Sequence, residues 1–431
     1  MNRQYWANLA EFYNEQLFQQ ILPFWIKNGI DSEYGGFFTC FDNSGAKMIS
    51  ADKYVWSQGR FIWLLSKLAE LSGDQSNYLE HAKRGVAFLT RHCFLEDGGC
   101  AFLLSRDGTP REPEPGRGYQ YSIYADCFVV LGFAKYAAVS GDAAVATTAL
   151  RLYDSIVGRI ARRAFLTHPE PTPEGYKCHG IPMILLNVSQ ELARALAALK
   201  HPRRAEIKQR CVSFLHEIMN DFYADDRMME MVALKERPDS TMLTRYANPG
   251  HAIEDMWFVM HQAIEMRDNP MIAKAVRVVA RMFELGWDTQ YGGLYHFIDK
   301  EGGPPRGDVP PAVPSALISK LRDDWDSKLW WVHSEALYTT LLGYRLTGDR
   351  SMLANYQKVH DYAFAVFPNP DRAVGEWIQI RDRSGMPLEK VVALPVKDPF
   401  HITRNFMLVI ELLLEMLQEP GSRARNRLNW N

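Results

Sequence analysis

The sequence predicts a mainly α-helical chain folded as a single (α/α)6 barrel, a toroid of six helix pairs with short β-hairpins at one end. Three observations carry that prediction. Apolar residues recur three and four apart through most of the chain, the mark of helices with a buried face. Strand-like runs are few and short. They repeat one pattern, and its copies are spaced as if helix pairs lay between them.

In chain order, helical periodicity is clear in Phe61, Leu64, Leu65, Leu68 and Leu71, and then through 124–141, 147–165, 183–200, 205–220, 251–268 and 270–285. It resumes in Leu337, Leu341, Leu342 and Tyr344 and continues through 351–367 and 400–418, with most windows stopping near Gly, Pro or Asp. The short runs fall between. Gly35-Gly36-Phe37-Phe38-Thr39-Cys40-Phe41-Asp42 leads into Gly45, Gly98-Gly99-Cys100-Ala101-Phe102 leads into Asp107-Gly108, and Gly292-Gly293-Leu294-Tyr295-His296 leads into Gly302. Gly375 to Asp382 with Gly385 is a degenerate copy, and Arg227 to Leu234 reads as another. Each is expected to form a strand, an Asp/Gly turn and a return strand.

The starts at 35, 98, 292 and 375 are 63, 194 and 83 residues apart, and 194 is close to three times 65. Six units of about 65 residues use nearly the whole chain, and stacked helix pairs must bury their apolar faces on neighbours. A closed ring rimmed by hairpins suits this better than an open solenoid. The stretches Arg111 to Gly118 and Gly302 to Pro314 read as long loops over the rim. The expected organisation is therefore one barrel over residues 1–418 and a polar tail over 419–431.

Composition narrows the function. The chain is 47% hydrophobic and 23% charged, with a formal charge of -2 and no long Lys/Arg block, so nucleic acid is not the expected partner. Arg3, Glu11 and Glu15 interrupt the N-terminal apolar residues, so no signal peptide is expected, and no run of 18 residues is expected to avoid charge and polarity well enough to span a bilayer. Six cysteines without C-x-x-C spacing read as buried thiols in a reducing cytoplasm. Aromatic residues make up 12% of the chain, more than the core requires, and invite a search for a ligand surface. P-loop, dinucleotide, H-E-x-x-H and G-x-S-x-G motifs are all missing, which leaves acid/base chemistry without a required cofactor or metal.

His81, His92, His201, His216, His261 and His360 sit in ordinary amphipathic helices, while His168 and His179 lie in a loop-like region whose role stays open. The segment Asn248-Pro249-Gly250-His251-Ala252-Ile253-Glu254 is different. Pro and Gly mark a helix start, so His251 falls in the first turn with Glu254 three residues on and facing the same way, where a carboxylate can orient an imidazole. Helix capping is the alternative reading. His401 and Arg404 repeat the spacing after Pro399-Phe400. Trp330-Trp331-Val332-His333-Ser334-Glu335 packs indoles, an imidazole and a carboxylate together, a composition suited to a sugar face, although only one of the two Trp can face it. Arg60, in the aromatic helix start after Tyr54, is either paired structurally or aimed at a ligand oxygen.

Several ordered motifs then give the chain a family likeness. Tyr34-Gly35-Gly36-Phe37-Phe38-Thr39-Cys40, Lys53-Tyr54-Val55-Trp56-x-Gln58-Gly59-Arg60, Pro182-Met183-x-Leu185-Leu186-Asn187, Asn248-Pro249-Gly250-His251, Lys328-Leu329-Trp330-Trp331-x-His333-Ser334-Glu335 and Phe400-His401-x-x-Arg404 run in this order through the chain. From about Tyr5 to Leu417 the chain resembles the N-acylglucosamine 2-epimerases, also called renin-binding proteins, which are (α/α)6 barrels. The resemblance implies interconversion of N-acetylglucosamine and N-acetylmannosamine, with His251 and His401 as the proton-transfer pair. It further implies Tyr54, Arg60, Asn187, Glu254, Trp331, Glu335 and Arg404 around an amino sugar, a cytoplasmic homodimer in sialic acid metabolism, and ATP as an activator rather than a reactant.

Cellobiose 2-epimerases and aldose–ketose isomerases of the mannose/fructose type share the His-x-x-Glu and His-x-x-Arg elements, so the motifs define the chemistry better than the sugar. Val396, where the disaccharide enzymes carry Trp, and Met183 to Asn187, where they carry a His-containing segment, favour a monosaccharide. The loop from Gly302 to Ile318 is longer than the family pattern. A glycoside hydrolase using Glu254 and Glu335 on the same toroid is the non-isomerase alternative, and a binding-only protein is a third.

Overall fold

A computed structural model describes residues 2–73, 77–234, 240–310, 313–390 and 394–418; the expected tail at 419–431 lies outside the described residues. The helices are α1 (Arg3–Glu15), α2 (Leu22–Asn28), α3 (Val55–Ser72), α4 (Tyr78–His92), α5 (Ile123–Ser140), α6 (Ala143–Ala161), α7 (Gly180–Ala198) and α8 (Arg204–Glu217). They continue with α9 (Met242–Arg245), α10 (Pro249–Met266), α11 (Asn269–Gly286), α12 (Ser315–Asp323), α13 (Trp330–Thr347), α14 (Arg350–Val366) and α15 (Phe400–Leu417). The mainly helical barrel expected from the sequence is the fold observed.

Six helices line the axis. Helices α3, α5, α7, α10, α13 and α15 each pack on the next, and α15 closes the ring on α3. Helices α4, α6, α8, α11 and α14 back the first five, and α1 packs on α15, so the two ends of the described chain form the sixth pair. Burial follows this split. Outer α4 buries Tyr78, Ala82, Val86 and Leu89, one stripe at helical spacing, whereas inner α5 is buried almost continuously from Ile123 to Ala137. Helix α5 is long and apolar enough to cross a membrane by length and composition, which revises the expectation that no such stretch exists; 78% of it is buried inside the ring, as a core helix demands. Helix α1 was not among the periodic windows because it runs without a cap into a π-helical turn at Gln16–Ile21, which breaks the spacing.

The rim departs from the simple hairpins expected. Local return pairing exists for Leu103–Leu104 with Pro110–Arg111, and as single bridges for Phe41 with Met48 and Arg381 with Pro387. The dominant pairing joins successive units instead. The strand entering an inner helix pairs antiparallel with the strand of the following repeat: Lys53–Tyr54 with Leu103–Leu104, Tyr246–Ala247 with Ile298–Asp299, and Lys328–Leu329 with Ile380–Arg381. Around Arg227 the expected hairpin is replaced by a tight turn pairing Tyr223–Ala224 with Arg227–Met228, while Met231–Ala233 pairs with Tyr176–Cys178. The long 302–314 segment leads into α12, which joins Tyr176, Met231, Leu243 and Phe297 in a small second apolar cluster above the ring.

The repeat is exact enough to reproduce a buried ion pair. Asp31 caps the backbone of Glu33 and Tyr34, accepts from Lys53 at 2.9 Å and is covered by Arg106. Asp288 caps Gln290 and Tyr291, accepts from Lys328 at 3.2 Å and is covered by Arg383. In both, the lysine sits two residues ahead of an inner helix and also donates to a Gly-Gly carbonyl, Gly35 or Gly293.

Helices α3 and α5 cross where neither has a side chain. A Cβ on Gly59 would lie 2.2 Å from the Phe128 carbonyl oxygen, and one on Gly132 would lie 2.3 Å from that of Gly59. This close approach sets Arg60 of α3 beside Phe128 of α5. Gly132→Ala is expected to lower stability by about 1–3 kcal/mol through forced separation of the helices, measured as a lower urea midpoint; an unchanged midpoint would show that the crossing is not tight.

Candidate active site

The candidate residues gather in the first turns of the inner helices. At α10, Asn248 accepts from the His251 backbone N–H and Pro249 fills the first turn, so the loop-to-helix transition places His251 at the mouth. At α15, Asp398 accepts from the Phe400 backbone N–H and His401 follows. At α13, Trp331 presents its ring to both imidazoles, with centroids 5.2 Å from His251 and 5.7 Å from His401. Two histidines thus flank one indole.

The carboxylate that orients His251 is not the expected one. His251 Nδ1 lies 2.9 Å from Glu230 Oε1, a residue from the loop after α8, whereas Glu254 turns to Arg404. Three residues of spacing put Glu254 on the same side of α10, yet it reaches across the axis because Arg404 is buried there and needs an anion. His401 Nδ1 lies 2.7 Å from Glu335 Oε1, and that oxygen also accepts from Arg404 at 2.5 Å. Trp257 Nε1 holds the other Glu335 oxygen at 2.9 Å. Arg60 is paired with Asp398 at 3.0 Å and enclosed by the rings of Phe128, Trp56 and Phe400, with its guanidinium carbon 4.1 Å from the Phe128 centroid. Asp398 also lies 3.7 Å from His401 Nε2, so Arg60 and His401 share it.

Other expected residues are placed differently. Asn187 is buried on α7 and lines a small space beside Trp257, Phe400 and Arg404, below the histidines. Tyr54 packs edge-on against Phe102 and lines a cavity of about 630 Å³ at the rim, with Tyr121, His168, Glu170 and α12 residues. His333 belongs to the core. It is fully buried, its Nε2 accepts from the Leu294 backbone, its Nδ1 donates to the Leu329 carbonyl, and burial pushes it down to about 3. His261, grouped above with the histidines of ordinary amphipathic helices, is buried against Tyr338 and Trp257 because α10 is an inner helix.

His179, left open by the sequence, stands at the head of α7 behind Glu230. Its Nε2 lies 2.7 Å from Asp255 Oδ2 and its Nδ1 3.9 Å from Glu230 Oε2. Glu230, Asp255 and Asp398 were missed by sequence reasoning. Glu230 is a lone acid in the run Met228-Met229-Glu230-Met231-Val232, and a charge inside an apolar run was the available signal. Asp398 stands three residues before His401, the spacing already noticed on the other side of that histidine.

These contacts shift protonation. Burial pushes His251 down, but the charge and hydrogen bond of Glu230 outweigh it and hold the imidazole above its ordinary value. Burial raises Glu335, and Arg404 and His401 overcome this and keep it low. Burial opposes the charge of Arg404, yet Glu335 and Glu254 raise it. Ligand atoms of Glu254, Glu335 and His401 approach within 4.8 Å of one another, as around a metal ion. The Arg404 guanidinium bonds both carboxylates, so the position a cation would take is held by the protein's own.

Comparison with known proteins shows the family. Residues 36–404 match the description of N-acylglucosamine 2-epimerase (GlcNAc 2-epimerase). The chain belongs to the N-acylglucosamine 2-epimerase family. It is 31% identical to N-acylglucosamine 2-epimerase of Bos taurus, over 95% of this chain and 92% of the relative. It is 22% identical to cellobiose 2-epimerase of Bacteroides fragilis, over 94% and 99% of the two chains. The structure of cellobiose 2-epimerase from Spirochaeta thermophila superposes with a TM-score of 0.76 at 22% identity, covering 96% of this chain and 99% of that one, and so shares the fold. The protein is an isomerase of the sugar-epimerase type.

Glu230→Gln removes the main charge that sustains the His251 imidazolium and leaves burial opposed only by the lesser effects of Glu254 and Glu170. The His251 titration midpoint, followed by NMR of histidine-labelled protein, is expected to fall by about one unit or more, and an unchanged midpoint would reject Glu230 as its partner.

Proposed function

We propose that this family member interconverts N-acetylglucosamine and N-acetylmannosamine by two-base proton transfer at C2 of the open-chain sugar. The observation that carries the reading is the pair of imidazoles flanking Trp331, each braced by its own buried carboxylate. The C2 hydrogen of an aldehyde sugar is acidified by the adjacent carbonyl. One neutral imidazole takes that proton, the electron pair moves into an enolate with its charge on O1, and the other histidine, as imidazolium, returns a proton to the opposite face. After one turnover the two histidines have exchanged states. Arg404, buried beside the pair, and the partly buried Arg60 supply positive charge near the developing oxyanion, and the N-terminal ends of the inner helices add to it.

N-acylated sugar is favoured over a disaccharide by the greater identity to N-acylglucosamine 2-epimerases than to cellobiose 2-epimerases. The same reading makes the protein a cytoplasmic homodimer serving sialic acid metabolism, active without a required cofactor and open to ATP as an activator; family likeness alone supports these.

The test is proton NMR of N-acetylmannosamine with the enzyme in D2O. Loss of the C2 signal with formation of N-acetylglucosamine is expected. His251→Ala and His401→Ala should each slow epimerisation about 10²–10⁴-fold, while one-sided C2 exchange survives in one of them. Full-rate epimerisation by His401→Ala would overturn the two-base assignment. Conversion of mannose to fructose, or of cellobiose to its epimer, in place of the acylated sugar would move the reading to those relatives, and sugar release from a glycoside would make it a hydrolase.

A further inference from the structure

Each imidazole is backed by the same order of groups: carboxylate, cation, carboxylate. Behind His401 these are Glu335, Arg404 and Glu254. Behind His251 they are Glu230, His179 and Asp255. The two outer anchors are consecutive on α10, about 100° apart around the helix, so one helix serves both relays. We infer that His179 is a positioning residue for His251, a buried cation that balances Glu230 as Arg404 balances Glu335.

The geometry favours the charged form: Nε2 stands 2.7 Å from Asp255 Oδ2 and Nδ1 3.9 Å from Glu230 Oε2, and the cation opposes the burial that raises Asp255. Both ring nitrogens of His179 face carboxylates, and a neutral imidazole has an N–H for only one of them, leaving its lone pair against the other anion. His179 and Asp255 are almost wholly buried, so water cannot make up the difference. The His179 backbone N–H also donates to the Glu230 carbonyl at 3.0 Å, fixing the two residues relative to each other. Burial works against the cation, but Asp255 and Glu230 raise it to about 10.

The consequence lies one group further in. His251 faces Glu230, with Glu254 and Glu170 adding negative charge and His296 close enough to interact with it. Glu230 also faces the hydroxyls of Tyr124 and Tyr246 and the Cys178 thiol, all pushed up by burial and un-ionised near neutrality. His179 is therefore the one positive charge on the far side of Glu230 among these groups. Without it, Glu230 would bind the His251 proton more tightly, and the imidazolium would be slower to return it to carbon.

This inference rests on the two-base reading, and its test is separate from that of the reaction. Histidine-labelled wild-type enzyme and the His179→Gln variant are titrated by NMR. The His251 midpoint is expected to rise by about one unit in the variant, opposite in sign to Glu230→Gln, and the alkaline limb of kcat/KM should move up with it. A folded His179→Gln protein with an unchanged or lower His251 midpoint overturns the assignment. If that variant does not fold, the ¹⁵N spectrum of His179 in the wild type decides: both ring nitrogens protonated at pH 7 supports the role, and a neutral tautomer overturns it. Failure of the wild type to exchange the C2 proton of N-acetylmannosamine would overturn the proposed function and leave the His179 titration to be judged independently.

Discussion

Arg404 is the constraint around which the ring closes. A guanidinium this deeply buried is tolerable only if anions meet it, and Glu254 of α10 and Glu335 of α13 do so from two other inner helices. Three helices are thereby brought to a common point on the axis. The rest of the site follows from satisfying the remaining atoms. Glu335 has oxygens left to pair, and they take His401 and Trp257. His401 in turn approaches Asp398, which holds Arg60, whose faces are covered by Phe128, Trp56 and Phe400. Removing Arg404 would leave Glu254 and Glu335 facing each other without their shared cation in a poorly hydrated interior.

The same rule acts at the rim. Lys53 and Lys328 are fully buried, and each survives because Asp31 or Asp288 stands against it under an arginine lid. These clamps fix the strand ahead of α3 and the strand ahead of α13 against the preceding Gly-Gly turn, so they determine where each inner helix begins. Since Arg60 and Trp331 lie within two turns of those beginnings, an ion pair repeated for structural reasons sets the height at which the chemistry is presented.

What the sequence made legible was whatever repeats or keeps helical spacing. The inner helices were visible because their apolar residues run on all sides, and the unit length was visible because Gly-Gly turns recur. Pairing of strands between units was not, because two-residue strands carry no periodicity and their partners lie some fifty residues away. At the site, His251, His401, Glu335 and Arg404 stand in compact motifs and were found. Glu230 escaped because it acts from a loop outside any motif, and its place beside His251 is created by Met231–Ala233 pairing with Tyr176–Cys178. That pairing also delivers His179. The assignment of Glu254 to His251 failed for a related reason: shared helix face is a local property, while the partner of a buried carboxylate is chosen by the strongest cation in reach.

On the proposed two-base reading, the two relays keep the proton in transit between the two imidazoles. Arg404 cannot release its proton, and His179 is held in its charged form by two acids, so neither backing cation competes for the proton in transit. The carboxylates beside them are kept ionised by those cations, Glu335 by Arg404 and Glu230 by the histidines around it. His251 and His401 lie against the same indole, each beside a carboxylate that is backed by a cation. A toroid of this kind hosts many sugar chemistries, so its shape alone selects none. On the proposed reading, what suits this site to proton transfer is a pair of imidazoles set against one indole, each beside its own buried carboxylate.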